Sequence, residues 1–250
     1  MHAEVLDTVG RGPELVYVPG IDGSGELLLG LGERLAPHFR VTRLCYRGDA
    51  GGDHATLAAS VARCIQGLGA PSALLLAESF GVAVALLTAL DHPRQVAGLA
   101  LVNGFARYSN RLGLALTRGV FALAPEAWIH GGRKRFVQRG LIAPRRDERA
   151  LAGVIALRGD WFDERYRARL RWIAAVDLRA RLGEVRCPVE LYAAEHDRVV
   201  DSLRAAREMA SAIPTARLTV LARAGHLVLP LAEEPWEERL LELARRAGLV

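Results

Sequence analysis

Six short runs of this chain are rich in apolar residues: 14–18, 40–46, 72–77, 98–103, 187–194 and 216–221. A strand with one wet face would alternate apolar and polar positions, whereas most of these runs barely alternate, which predicts strands buried on both faces. Between them the period changes. Residues 54–68 place Leu57, Val61, Cys64 and Ile65 on one helical stripe, and residues 235–247 do the same with Trp236, Leu240, Leu243 and Ala247. Helices are predicted as well over 26–36, 203–213 and from residue 80 to 91, with a short strand over 4–9. Strands alternating with helices predict an α/β fold, a mostly parallel central sheet with helices on both faces. The ligand site of such a sheet lies beyond the carboxyl ends of its strands.

The alternation breaks once. Between Asn103 and Val189 lie 85 residues, against the dozen or so that a crossover needs. Residues 1–104 and 183–250 therefore read as the core, and 105–182 as a helical cap insertion that leaves from and returns to the edge of the sheet where a site would lie. The insertion holds Trp128, Trp161 and Trp172. Trp128 and Trp161 are candidates for contact with substrate, against the plainer reading that each packs the interior of the cap.

The chemistry gathers at strand ends. The run Leu74-Leu-Leu-Ala-Glu-Ser-Phe-Gly81 stops at a serine and becomes helical within two residues. This is the pattern of a nucleophile elbow, in which a sharp strand-to-helix turn holds the serine hydroxyl clear of both elements and small residues flank it two positions away. Those residues are Ala77 and Gly81, so G-x-S-x-G is met with alanine in place of the first glycine. The plainer use of Ser79 is a helix cap. After the strand at 14–18 comes Pro19-Gly-Ile-Asp-Gly-Ser-Gly25. Phosphate binding there is disfavoured, because a P-loop needs G-K-[ST] and the only lysine in the chain is Lys134. Such a loop can instead offer N–H groups to a developing oxyanion.

Two more strand ends complete the set. The loop after 187–194 carries Glu195, Asp197 and Asp201, and the loop after 216–221 carries His226 behind a glycine. A serine hydroxyl is a poor nucleophile until a histidine takes its proton, and a buried carboxylate holds that imidazole in the right tautomer. Ser79, Asp197 and His226 are chosen as the triad, Asp197 because it lies where the chain can turn its side chain toward His226. The N–H groups of Phe80 and Ile21 are the candidate oxyanion donors.

Charge and composition narrow the rest. The net charge of +5 is uneven, since residues 105–150 alone carry +7 and the remainder −2. A solvated helix face is the plain account; an anionic substrate or a membrane surface could be drawn to the same charge, though nothing else in the chain supports membrane contact. No nucleic-acid motif accompanies it. Cys45, Cys64 and Cys187 are odd in number and in apolar settings, which reads as buried thiols. Neither H-E-x-x-H nor paired C-x-x-C occurs, so no metal and no cofactor is expected. The start of the chain lacks the basic head and apolar middle of a signal peptide, and a cytoplasmic address is expected.

Together Val18-Pro-Gly-Ile-Asp-Gly-Ser-Gly25, Ala77-Glu-Ser-Phe-Gly81, Cys187-Pro188, Asp197-Arg-Val-Val200 and Ala224-Gly-His226 resemble the α/β-hydrolase superfamily, in its capped form, over nearly the whole chain. That resemblance implies the oxyanion loop, nucleophile, acid and base at those positions. Pro19 stands where many members have a histidine, and the P-G-x-D-G form is similar to a subset of esterases, thioesterases and lipid acyltransferases. The function it implies is a serine hydrolase acting on a small-molecule carboxylic ester or thioester. Acyl transfer to an alcohol or carbon–carbon bond hydrolysis would use the same triad, and a ligand-binding relative with little turnover would keep only the fold.

Overall fold

The computed structural model describes residues 1–123, 137–142, 144, 148–157, 163–231 and 233–250. Seven strands form one sheet: β1 (His2–Gly10), β2 (Glu14–Val18), β3 (Arg40–Arg47), β4 (Ala73–Glu78), β5 (Val96–Val102), β6 (Val189–Ala194) and β7 (Ala216–Leu221). Their order across the sheet is β1-β3-β2-β4-β5-β6-β7. Only β1 runs antiparallel, against β3, and every other pairing is parallel. The edge strand is longer than its apolar residues suggest, since a strand with one open side needs no continuous apolar run.

The central strands β2, β4, β5 and β6 are largely apolar because both faces are covered. Val16, Val18, Leu75, Ala77, Leu99, Leu101, Leu191 and Ala193 join one core. Their neighbours in sequence, Leu15, Tyr17, Leu74, Leu76, Ala100, Val102, Tyr192 and Ala194, join a second core on the opposite side. This is the two-residue period of a strand with each phase buried in its own layer.

Helices α2 (His54–Gly67) and α3 (Phe80–Asp91) pack on the first face. Asp53 caps α2, its carboxylate accepting the Thr56 N–H at 2.8 Å. Helix α3 is buried along ten consecutive residues from Phe80 to Ala89. The second face is covered by α1 (Leu31–Leu35) and α8 (Trp236–Arg246). Helix α1 is much shorter than the stretch 26–36 predicted from periodicity. Leu29 adopts φ +46° and Gly30 precedes the first helical turn. A residue in the left-handed region cannot continue a right-handed helix, so residues 26–30 form tight turns that still bury Leu27 and Leu28.

Between β5 and β6 lie α4 (Arg111–Leu123), a six-residue π-helical turn (Val137–Ile142), α5 (Glu148–Ala156), α6 (Glu164–Ala175) and a 3₁₀ turn (Arg179–Glu184), followed after β6 by α7 (Ser202–Ala212). The two ends of this stretch meet. Arg107 bridges Asp177, and the Leu178 N–H donates to the Ala106 carbonyl at 3.0 Å. Among the described residues no helix is long and apolar enough to cross a membrane.

Candidate active site

Ser79 follows the last residue of β4 with φ +54° and ψ −120°. A non-glycine residue in this region is strained, and such strain persists where the surroundings dictate it. Here the Ser79 N–H donates to the Val102 carbonyl at the end of β5, at 2.9 Å. The turn is too tight for a side chain two residues on. A Cβ on Gly81 would lie 2.6 Å from the carbonyl oxygens of both Val18 and Pro19. Ala77, by contrast, is fully buried in β4 with its methyl in the first core, so alanine fits where glycine was expected.

Two loops bring the partners. His226 Nε2 lies 3.0 Å from Ser79 Oγ, and His226 Nδ1 lies 2.8 Å from Asp197 Oδ2. With a carboxylate facing Nδ1, that nitrogen carries the proton and Nε2 is left to accept from the serine hydroxyl. The other carboxylate oxygen, Asp197 Oδ1, accepts the N–H groups of Val199 at 2.8 Å and Val200 at 3.0 Å. The Asp197 side chain is 1% exposed and that of His226 10%. Burial alone would push His226 down, but the charge of Asp197, its hydrogen bond and the nearby Glu78 more than offset this, so the imidazole titrates above its ordinary value.

The rival acids have other tasks. Glu195 accepts the Arg223 N–H at 3.0 Å on the exposed side of the loop. Asp201 caps α7. His196 is exposed beside Glu195.

The loop after β2 lies against the serine. A Cβ on Gly20 would sit 3.6 Å from the Ser79 Cβ. The N–H of Phe80, first residue of α3, has no helical carbonyl a turn behind it and stands at the positive end of the helix. The Ile21 N–H is carried by this neighbouring loop. Trp128 and Trp161 lie outside the described residues.

Three features escaped sequence reasoning. Asn103 follows β5 with φ +48°, is 1% exposed, and joins three segments. Its Nδ2 donates to the carbonyls of His226 at 2.6 Å and Gly225 at 3.3 Å, while its Oδ1 accepts the Ala194 N–H at 2.7 Å. Glu78, just before the serine, is buried and accepts a short hydrogen bond from the Tyr17 hydroxyl. Burial raises its carboxyl to about 7 despite that bond. Arg169 of α6 is buried and donates to the carbonyls of Ile21 at 2.6 Å and Asp22 at 3.2 Å. Its only signal in the sequence is its place on the helical stripe that also carries Tyr166, Trp172 and Ile173. Among the described residues no group of three or more His, Cys, Asp or Glu side chains converges in a way that could hold a metal ion.

Comparison with known proteins gives a consistent background. The family model described as alpha/beta hydrolase fold matches residues 13–232. The RutD protein of Agrobacterium fabrum, provisionally named a carbamate hydrolase, is 28% identical over 97% of each chain. The enol-lactonase of Burkholderia xenovorans superposes with a TM-score of 0.82 at 19% identity, covering 97% of this chain and 96% of that one. A thermophilic esterase of Thermogutta terrifontis gives 0.82 at 20% identity, over 98% and 93%. At these identities the structural likeness establishes the fold.

Proposed function

Because this chain belongs to the alpha/beta hydrolase family, we propose that it is a serine hydrolase cleaving a carboxylic ester or thioester through an acyl-enzyme on Ser79. The observation that carries this reading is the unbroken line from Ser79 Oγ through both nitrogens of His226 to the buried Asp197 carboxylate. In the first half-reaction Ser79 Oγ attacks the carbonyl carbon as His226 Nε2 takes its proton. The N–H groups of Ile21 and Phe80 receive the developing oxyanion. Collapse of the tetrahedral intermediate expels the alcohol or thiol, which leaves with the proton held by His226. In the second half-reaction His226 deprotonates water, the hydroxide attacks the acyl carbon, and Ser79 regains its proton. Asp197 stabilises the imidazolium twice in each cycle.

Residues 105–182 act in this scheme as the cap that shapes the pocket. The cluster of Leu27, Val137, Leu141, Ile142, Leu151, Val154 and Leu227 supports that assignment, because it joins the insertion to residues beside the oxyanion loop and His226. A backbone hydrogen bond of 2.9 Å from the Leu227 N–H to the Leu141 carbonyl ties the same two parts.

The curated relatives named for carbamate hydrolysis recommend a second acyl class. A carbamate offers the same trigonal carbonyl carbon and the same oxyanion. The test is hydrolysis of p-nitrophenyl esters from acetate to palmitate, an acyl thioester and an aryl carbamate, by wild type and by Ser79→Ala. Turnover of an ester or thioester that disappears in the variant supports the proposal. Equal turnover by purified Ser79→Ala, or a folded wild type that cleaves none of these, sinks it.

A further inference from the structure

Five consecutive carbonyls in the loop after β2 each accept a hydrogen bond. Pro19 O takes the Tyr46 hydroxyl at 2.9 Å. Gly20 O takes the Gly23 N–H at 3.1 Å, and Gly23 O takes the Tyr46 N–H at 2.8 Å. These three bonds come from the loop itself and from β3. The remaining two, to Ile21 O and Asp22 O, come from the guanidinium of Arg169, which is carried by the insertion.

Arg169 is 3% exposed and among the described residues forms no ion pair. A buried cation is costly unless its donors are used, and this one directs Nε and Nη2 at the loop while its third nitrogen, Nη1, approaches Met1 Sδ at 3.2 Å. Its guanidinium carbon lies 5.9 Å from the centroid of the ring of Tyr46, the residue that holds both ends of the loop.

The geometry bears directly on Ile21. The peptide that presents the Ile21 N–H is the one whose carbonyl, Gly20 O, is fixed by the Gly23 turn. The following peptide carries Ile21 O, and Arg169 fixes that plane. The N–H lies in the first of these planes, which the Gly23 turn holds from one side; the second plane, held by Arg169, restrains the first from the other side through the two soft dihedrals of Ile21. One turn further along α6, Trp172 faces Phe80 with ring centroids 6.4 Å apart. Helix α6 thus touches both residues proposed as oxyanion donors.

We infer that Arg169 is a positioning residue that aims the Ile21 N–H at the oxyanion, so that the donor pair is completed only when α6 is docked on the loop. This rests on the serine hydrolase reading. The insertion then has a part in the chemical step besides enclosing the substrate.

The experiment uses Arg169→Met and Arg169→Lys in the full chain, with the best substrate of the panel. Donor loss or misplacement acts on the transition state, so kcat should fall on the order of 10- to 100-fold in Arg169→Met while KM changes by less than about 3-fold. Lysine cannot span two carbonyls as a fork, and Arg169→Lys should fall between methionine and wild type. A trifluoromethyl ketone, whose adduct with Ser79 bears the oxyanion, should lose affinity in parallel with kcat/KM. An unreactive ether analogue of the substrate should bind unchanged. Unaltered kcat in a folded Arg169→Met overturns the inference, as does equal weakening of the ketone and the ether. Should Arg169→Met fail to fold, the same split in Arg169→Lys decides. Wild-type turnover abolished by Ser79→Ala but indifferent to Arg169 sinks this role alone, whereas a wild type without turnover sinks both readings.

Discussion

Asn103 Nδ2 donates to the main-chain carbonyl of His226 at 2.6 Å, so the residue after β5 fixes the backbone of the histidine delivered beyond β7. The same amide serves Gly225 O and the Ala194 N–H, and a neutral amide offers two N–H donors and an acceptor at once. Asn103→Ala is expected to cost about 1–3 kcal/mol for each buried group left unpaired. Asn103→Asp should cost more, because an ionised carboxylate would face two carbonyl oxygens. Thermal melts at pH 7 check the order, and an aspartate variant as stable as wild type would refute it.

Ser79 sits at φ +54°, which separates its chemical from its conformational role. Ser79→Ala and Ser79→Gly should both lose turnover by on the order of 10⁴-fold or more. They should differ in stability. Glycine tolerates this backbone and alanine does not, so the glycine variant should be more stable by about 1 kcal/mol, or roughly 2–4 °C in a chain of this size. Calorimetry of the pair settles it, and equal melting temperatures would remove the claim of strain.

Asp197→Asn keeps the shape but removes the charge that raises His226. The base must be neutral to accept a proton, so the acid limb of the kcat/KM profile reports the imidazole, and it should move to lower pH. The maximal rate should drop on the order of 10³- to 10⁴-fold. The stability effect has a definite sign. A histidine whose folded value is raised contributes fully below its unfolded value of about 6.5 and loses that contribution as pH rises through the folded value. Asp197→Asn should therefore lose more stability at pH 5.5 than at pH 9, as measured by urea unfolding.

Glu78 titrates at about 7 when folded because burial disfavours its charged form. Below its unfolded value both states are protonated. As pH rises from there through about 7, the unfolded chain releases this proton more readily, and the folded state loses stability. Glu78→Gln removes that loss while still accepting from Tyr17. Its denaturation midpoint should exceed that of wild type at pH 8 and approach it near pH 4.5; the opposite trend would count against a raised carboxyl.

Gly81→Ala pushes a methyl to 2.6 Å from two main-chain oxygens. The expected cost is about 1–3 kcal/mol, with turnover reduced because Pro19 adjoins the loop that carries Ile21. Ala77→Gly should retain activity, since the methyl there is already accommodated. Loss of activity in Ala77→Gly and none in Gly81→Ala would reverse the account of the turn.

The fold was legible because the central strands β2, β4, β5 and β6 are largely apolar in both phases and each phase has its own core to enter. Ser79, Asp197 and His226 could be selected because strand ends are few and the chemistry requires three residue types at three of them. The first helix was overdrawn because nothing in the identity of Leu29 announces a left-handed backbone. Asn103 gives no sign in the sequence beyond closing an apolar run, and its part as a bracket depends on an N–H that meets it from β6 and carbonyls from the His226 loop. Arg169 is one of four alternating arginines, with Arg165, Arg167 and Arg171. Which of them turns inward is decided by packing against the loop.

Ser79 and His226 are 147 positions apart in the chain, and Asp197 and His226 are 29 apart. The turn at Ser79 is shaped by β2, β4, β5 and α3, yet His226 reaches it only after β6 and β7 have been added in register. Contacts so distant in sequence form late. After dilution from denaturant, regained catalysis would therefore mark the closing of this 147-residue loop, well after helical content has returned, and the active site would serve as a clock for its own assembly.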